Sequence, residues 1–223
     1  DVDAAVAAAV SAFPAYSQTR KSERVALLHS LKKATKSRFE DLAQAMRMEM
    51  GAPITMAREA QADAAIGHLQ GFIGALDALV ERETLDNGDI LLREPIGVCG
   101  LITPWNWPMN QIALKVIPAL ATGCCCVLKP SEHTPICAMI YAEIIDEAGF
   151  PPGVFNLVQG DGPTVGGALS RHKDVQMISF TGSTRAGTAV TRDAAETVKR
   201  VTLELGGKSP NLVFADCDLE AQV

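Results

Sequence analysis

Asn106 stands in the run Thr103-Pro104-Trp105-Asn106-Trp107-Pro108, which holds both tryptophans of the chain and a carboxamide just ahead of a proline suited to the first position of a helix. Its amide either caps that helix through free backbone N–H groups or aims its own N–H at a developing oxyanion. Glu204, in Thr202-Leu203-Glu204-Leu205-Gly206-Gly207-Lys208, is a carboxylate between two leucines and ahead of a glycine pair. The leucines offer the dry surroundings in which a carboxylate works as a general base, whereas backbone donors or Lys208 would leave it merely satisfied.

Two further stretches suit a nucleotide. In Lys129-Pro130-Ser131-Glu132 an acid and a lysine lie together. At the end of the second strand of a dinucleotide fold such an acid accepts hydrogen bonds from ribose hydroxyls, and the lysine offers charge to the ribose or to a 2′-phosphate. The pair reads equally as two solvated opposite charges. Phe180-Thr181-Gly182-Ser183-Thr184-Arg185-Ala186-Gly187 has glycines five apart leading into a helix. Backbone N–H groups and Ser183 there bind an anion, or form a plain capping turn. The run is neither common glycine fingerprint: GxGxxG needs glycine at Thr184, and a Walker loop needs lysine at Thr188. Gly160-Asp161-Gly162-Pro163 adds another close-approach turn.

Such loops need strands behind them. Short apolar runs predict strands at 98–102, 125–128, 154–158, 175–180 and 200–205, with helices beginning near Pro108, Pro135, Pro163 and Arg185. Each return to a strand follows a crossover long enough for a helix, so the strands are expected to be parallel, in a doubly wound α/β sheet with helices on both faces. Ligands of such sheets bind past the carboxyl ends of the strands, where the loops above fall. Upstream, 1–80 is alanine-rich and helical in period, with Val25, Leu28 and Leu31, then Leu42, Ala45 and Met46, and a break at Gly51-Ala52-Pro53. Asn87-Gly88 predicts a type I′ hairpin reaching out as a contact arm. A further strand is expected at 211–215 and a helix from Asp218.

Composition bounds the partners. The 223 residues carry 26 acidic and 20 basic side chains, a formal charge of -6 that repels phosphate backbones and anionic lipid heads, so neither nucleic acid nor a membrane is expected as partner. The least charged stretch, 95–128, has Lys115 as its one charge, is broken by Pro104, Pro108 and Pro118 and carries Asn106, Asn110 and Gln111, so no membrane span is expected there. The start DVDAAVAAAV lacks the basic region of an export signal. The six cysteines, Cys99, Cys124, Cys125, Cys126, Cys137 and Cys217, show no pair at a two-residue spacing, so no metal site is expected. They read as small buried residues of a reducing compartment, the cytoplasm, with none placed as a reactive thiolate.

Pro104-Trp105-Asn106-Trp107-Pro108, Leu128-Lys129-Pro130-Ser131-Glu132, Phe180-Thr181-Gly182-Ser183 with Gly187, and Glu204-Leu205-Gly206-Gly207-Lys208-Ser209-Pro210 together resemble the aldehyde dehydrogenase superfamily, in order and at family-like spacing from about Ser11 onward. The resemblance implies a Rossmann-like sheet binding NAD, with NADP possible. Lys129 and Glu132 would hold the adenosine ribose, and Ser183 the pyrophosphate. Gly162, Phe180, Gly182 and Gly187 would shape the pocket, and Ile102, Thr103, Pro104 and Trp105 the cofactor groove. Ser131, Thr181, Leu205 and Gly206 complete the implied cofactor set. Asn106 corresponds to the carboxamide that holds the substrate oxyanion, and Glu204 to the base that activates water. The implied reaction is attack of a cysteine thiolate on an aldehyde, oxidation, and hydrolysis of the thioester to a carboxylic acid. Relatives that acylate coenzyme A lack this glutamate. None of the six cysteines matches the family's nucleophile, which lies downstream of the Glu-Leu-Gly-Gly block. The implied division is 1–80 as packing helices, 81–97 as a bridging arm for homodimers or homotetramers, 98–207 as the NAD(P)-binding domain and 208–223 as the start of a catalytic domain. A free-standing dinucleotide-binding module and a coenzyme A acylating relative are the alternatives.

Overall fold

The computed structural model describes residues 1–218 and Glu220. Three helices open the chain: α1 (Val2–Tyr16), α2 (Lys21–Ser37) and α3 (Phe39–Met50). Helix α3 stops at Gly51, whose φ of 71° is left-handed and ends a helix at no steric cost, and Pro53 caps the next helix. A short α4 (Ile54–Met56) passes through a π-helical segment (Ala57–Ala62) into α5 (Asp63–Ala78).

The predicted arm is β1 (Arg82–Thr84) paired antiparallel with β2 (Ile90–Leu92). Its turn is not type I′. That type needs positive φ at both central residues, and Gly88 has φ 88° while Asn87 does not share the left-handed region. Instead Gly88 N–H donates to the Leu85 carbonyl and Leu85 N–H to the Asp89 carbonyl, a wider turn closed by one left-handed glycine. Asn87 Oδ1 accepts from Asp89 N–H, a local bond that keeps asparagine out of the tighter turn.

The main sheet consists of β3 (Val98–Ile102), β4 (Cys125–Lys129), β5 (Phe155–Leu157), β6 (Met177–Gly182) and β7 (Arg200–Leu205), in the order β5-β4-β3-β6-β7. Every pair is parallel, as the crossover lengths require. Between the strands run α6 (Pro108–Ala121), α7 (Pro135–Glu147), a π-helical turn (Gly162–Gly166) leading into α8 (Gly167–Arg171), and α9 (Thr184–Ala195). Strands β3 and β4 are buried along their whole length, which suits their apolar sequences up to Lys129 at the end of β4. The chain winds outward from β3 to β5, returns to β6 beside β3, and winds outward again, so the topological switch point lies between β3 and β6.

Three expectations shift. Strand β6 starts two residues later than predicted and keeps Thr181 and Gly182 within it, because β7 pairs with it out to Gly182 and Leu205. Strand β5 is shorter at both ends than 154–158. The strand expected at 211–215 does not form: a strand needs a ladder partner, the segment has none among the described residues, and Leu212, Val213 and Phe214 are exposed. The helix expected from Asp218 falls largely on 219 and 221–223, outside the described residues.

The helical lead-in is tied to the sheet by buried polar bonds. Tyr16 donates its hydroxyl to the Leu120 carbonyl, and the buried Arg24 donates Nε to the Ala121 carbonyl and pairs with Glu81. These bonds add side-chain partners to the carboxyl-terminal carbonyls of α6, where the Leu120 carbonyl also accepts from Gly123 N–H. No described helix is long and apolar enough to cross a membrane.

Candidate functional site

The carboxyl ends of β3, β6 and β7 open into a cleft of about 900 Å³. Pro104, Trp105 and Asn106 enter it from the loop after β3, Thr181, Gly182 and Ser183 from the end of β6, and Glu204, Leu205 and Gly206 from the end of β7. The strand register explains the convergence. Ser179 pairs with Thr202 and Thr181 with Glu204, and side chains two apart share a face, so these four line one side of the ribbon toward α6.

Asn106 is exposed and makes no side-chain hydrogen bond to a described residue. Trp107, not Asn106, occupies the cap position of α6, and no side chain caps that helix. The capping alternative therefore does not hold, and the carboxamide is left free at the cleft. Glu204 likewise bonds neither Lys208 nor backbone. The expectation that its flanking leucines dry it is corrected: Glu204 is exposed, because in a strand Leu203 and Leu205 point to the opposite face.

Lys115, one face of α6 away, escaped the sequence reading. It is 8% exposed and its Nζ donates to Ser179 Oγ at 2.9 Å. Burial pushes its pKa down to about 8, with the Glu204 carboxylate opposing that shift. The signal was present, since Lys115 is the one charge in 95–128 and sits on an otherwise uncharged helix.

A second, apolar cleft of about 340 Å³ lies between the π-helical turn before α8 and α9, reached by Ile102, Gly162 and Phe180, with Arg185, Val190 and Asp193 opposite. The first turn of α9 separates the two clefts. Ser183 caps it, its Oγ accepting from Ala186 N–H at 3.2 Å, which leaves earlier N–H groups of the turn unbonded. Gly187 packs closely here: a Cβ would lie 2.6 Å from Leu205 Cδ2, so a larger residue would have to displace the end of that leucine where α9 meets β7.

The remaining predicted residues border neither cleft. Lys129 is buried at the end of β4, its Nζ 3.2 Å from Glu132 Oε2. The Glu132 carboxyl is held below the ordinary carboxylate range, first by its own backbone N–H, with burial opposing and Lys129 assisting. Ser131 is buried and its Oγ accepts from His133 N–H, so it serves its own turn. Thr103 is buried with Oγ1 unpartnered, as is Thr181 Oγ1, and both stand at the switch point between β3 and β6.

The cysteines lie elsewhere. Five are buried and Cys217 is exposed. Cys124 departs from the expectation of inert thiols: the Cys99 thiol beside it lowers its pKa to about 6 against the cost of burial, helped by Thr122 and the backbone N–H groups of Ile96 and Gly97. It sits before β4, at the amino ends of the strands and away from the clefts, and is 3% exposed, so its acidity serves no cleft chemistry.

The profile of the aldehyde dehydrogenase family matches residues 1–223. The chain is 54% identical over 223 residues to a 3-succinoylsemialdehyde-pyridine dehydrogenase of a Pseudomonas species, covering 100% of this chain and 46% of that protein. It superposes on an aldehyde dehydrogenase from Bartonella henselae with a TM-score of 0.93 at 51% identity, covering 98% of this chain and 47% of the other. A variant of aldehyde dehydrogenase C from Pseudomonas syringae, crystallised with NAD+ and octanal, gives a TM-score of 0.94 at 51% identity over 98% of this chain and 45% of the other. The chain thus spans about half the length of the relatives it matches. A match along the whole sequence, joined to a parallel sheet whose carboxyl-end cleft gathers Asn106, Ser183 and Glu204, establishes that this chain belongs to the aldehyde dehydrogenase family.

Proposed function

We propose that the chain is the cofactor-binding part of an enzyme that oxidises an aldehyde to a carboxylic acid with NAD+. The observation that carries this reading is the pairing in one cleft of a free carboxamide, Asn106, and a free carboxylate, Glu204, beside the open first turn of α9. Neither side chain has a duty in binding a dinucleotide, so a mere binding module would not need them.

The residues present fit NAD. Thr103 and Thr181 keep buried hydroxyls without partners at the switch point, and Gly162 faces open space in the apolar cleft. Adenine suits that cleft, the pyrophosphate suits Ser183 and the α9 N–H groups, and the ribose hydroxyls suit Glu132 with Lys129 beside it. A carboxylate at the ribose repels a 2′-phosphate, so NAD is preferred and NADP is the lesser cofactor. Bound NAD+ supplies the two-electron acceptor.

Asn106 donates Nδ2–H to the aldehyde oxygen as it gains charge. Glu204 takes a proton from the water that releases the acid. Lys115, bonded to Ser179, places a buried amine on the wall of the cleft that Glu204 also lines. The thiolate that attacks the aldehyde comes from the part of the relatives' length that this chain does not span; the buried cysteines have no path to the cleft and Cys217 does not line it. On this reading 1–80 packs beside the cofactor domain 98–207, 81–97 bridges subunits into dimers or tetramers, 208–223 leads into the catalytic domain, and the enzyme works in the cytoplasm.

The test is Glu204→Gln in the complete protein. Rapid mixing with aldehyde and NAD+ should show a full burst of NADH followed by turnover slowed by about 100-fold or more, the scale of a lost general base. Unslowed steady-state turnover would overturn the role.

A further inference from the structure

The tip of the arm carries a chemistry of its own, apart from either cleft. Asn87 and Gly88 are exposed in the turn between β1 and β2. The backbone nitrogen that follows an asparagine is placed to attack the side-chain carbonyl carbon and close a cyclic imide, and the next residue decides whether it gets there. Asn106, Asn110, Asn156 and Asn211 are followed by Trp107, Gln111, Leu157 and Leu212, whose side chains crowd that nitrogen. Gly88 has no side chain, and nothing lies within 4 Å of where its Cβ would stand.

The turn holds the unreacted form by local bonds. Gly88 N–H donates to the Leu85 carbonyl at 2.9 Å, Asn87 Oδ1 accepts from Asp89 N–H at 3.1 Å, and Asn87 Nδ2 donates to Asp89 Oδ2 at 2.6 Å. Behind them stand two strands of three residues with every residue exposed. Opening so short a ribbon costs little, and it frees the Gly88 nitrogen and the Asn87 carboxamide together. Replacing the amide by a carboxylate would reverse the bond at Asp89: the Nδ2 donor is lost, and two carboxylates then face each other beside the exposed Asp86.

We propose that Asn87 is a self-modification site at the tip of the arm, gated by the bonds of its own turn. When the turn opens, the Gly88 nitrogen gives up its proton to solvent and bonds to Asn87 Cγ. The Cγ–Nδ2 bond breaks and the nitrogen leaves as ammonia. Water then opens the imide at either carbonyl, leaving aspartate or isoaspartate at position 87. One water is consumed for each ammonia released, and nothing is oxidised or reduced. The product carries a new negative charge that disfavours closure of the turn, so the change ratchets the tip toward its open form.

The experiment incubates the complete protein at mildly alkaline pH beside a synthetic peptide of residues 81–93 and follows both by peptide mapping. The fragment bearing Asn87 should gain about one dalton and become a substrate for isoaspartyl methylation, while the fragments bearing the other asparagines keep their mass. Conversion should run slower in the protein than in the peptide, because the turn must open first. Asp89→Ala removes the acceptor of Nδ2 and should speed conversion in the protein by about threefold or more, the scale of one hydrogen bond. Asn87→Gln, which would need a larger ring, should not convert. Asn87→Asp, standing in for the product, should speed hydrogen exchange at the Leu85 and Gly88 N–H groups. A protein whose Asn87 fragment keeps its mass after the peptide has fully converted overturns the inference, and so does a rate that Asp89→Ala leaves unchanged.

Discussion

A buried lysine exposes what residue-level reasoning sees and misses. Asn106 and Glu204 were legible because each stands out beside proline or glycine, and the structure places both at one cleft. Lys115 was not legible as a partner of that cleft, because its relation to Ser179 spans 64 residues of sequence and exists only once β6 lies beside β3. Its burial has a stability consequence with a definite sign. The folded pKa is lowered from 10.5 to about 8, so the folded protein binds this proton less well than the unfolded chain does. Below pH 8 the cost of the buried charge is fully present, on the order of 3 kcal/mol, and it is relieved as pH rises from 8 toward 10.5. Lys115→Met should therefore raise the urea midpoint at pH 7, and the gap between variant and wild type should shrink to a small fraction by pH 10. A gap independent of pH would show that Lys115 is not the titrating group.

Elements were legible where pattern and partner agree. Strands β3 and β7 run over the residues expected, 98–102 and 200–205, because their ends are set by their own glycine and proline neighbours. Strand β6 slid because its extent is decided by β7, and the arm's turn widened because Asn87 bonds Asp89 locally. How the lead-in docks was invisible, and one glycine now shows it. Gly153, before β5, has φ +84°, and a Cβ there would lie 2.6 Å from the Ala8 carbonyl oxygen and 3.1 Å from the Ala12 Cβ of α1. Gly153→Ala adds left-handed strain to a clash with helix backbone, about 2–4 kcal/mol, and should lower Tm on the order of 10 °C. Gly71→Ala in α5 meets nothing within 4 Å and removes chain entropy, so it should stabilise by about 1 kcal/mol. Calorimetry of the pair separates packing from backbone freedom; equal Tm values would mean that α1 does not seat on this turn.

Strand order, more than any motif, builds the site. With β3 beside β6 and β6 beside β7, the loops bearing Asn106, Ser183 and Glu204 become neighbours, while β4 carries Lys129 and Glu132 to the other side of β3. The sequence predicted parallel strands without their order, so it named the residues and left their convergence to the resemblance. The same whole-molecule view separates two apolar surfaces. One lies beyond β7, where Leu205, Leu212, Val213 and Phe214 are exposed. The other is the arm, whose Ile90 and Leu92 share one face of β2 and are each 51% exposed. A two-stranded ribbon of three-residue strands is marginal in water and needs a partner for that face. On the proposed role of the arm, replacing Ile90 and Leu92 together by lysine should convert the complete protein to a smaller species in light scattering at micromolar concentration. Far-UV circular dichroism should hold, because neither residue belongs to the buried core. An unchanged mass would place assembly on another surface and remove the arm from the proposal.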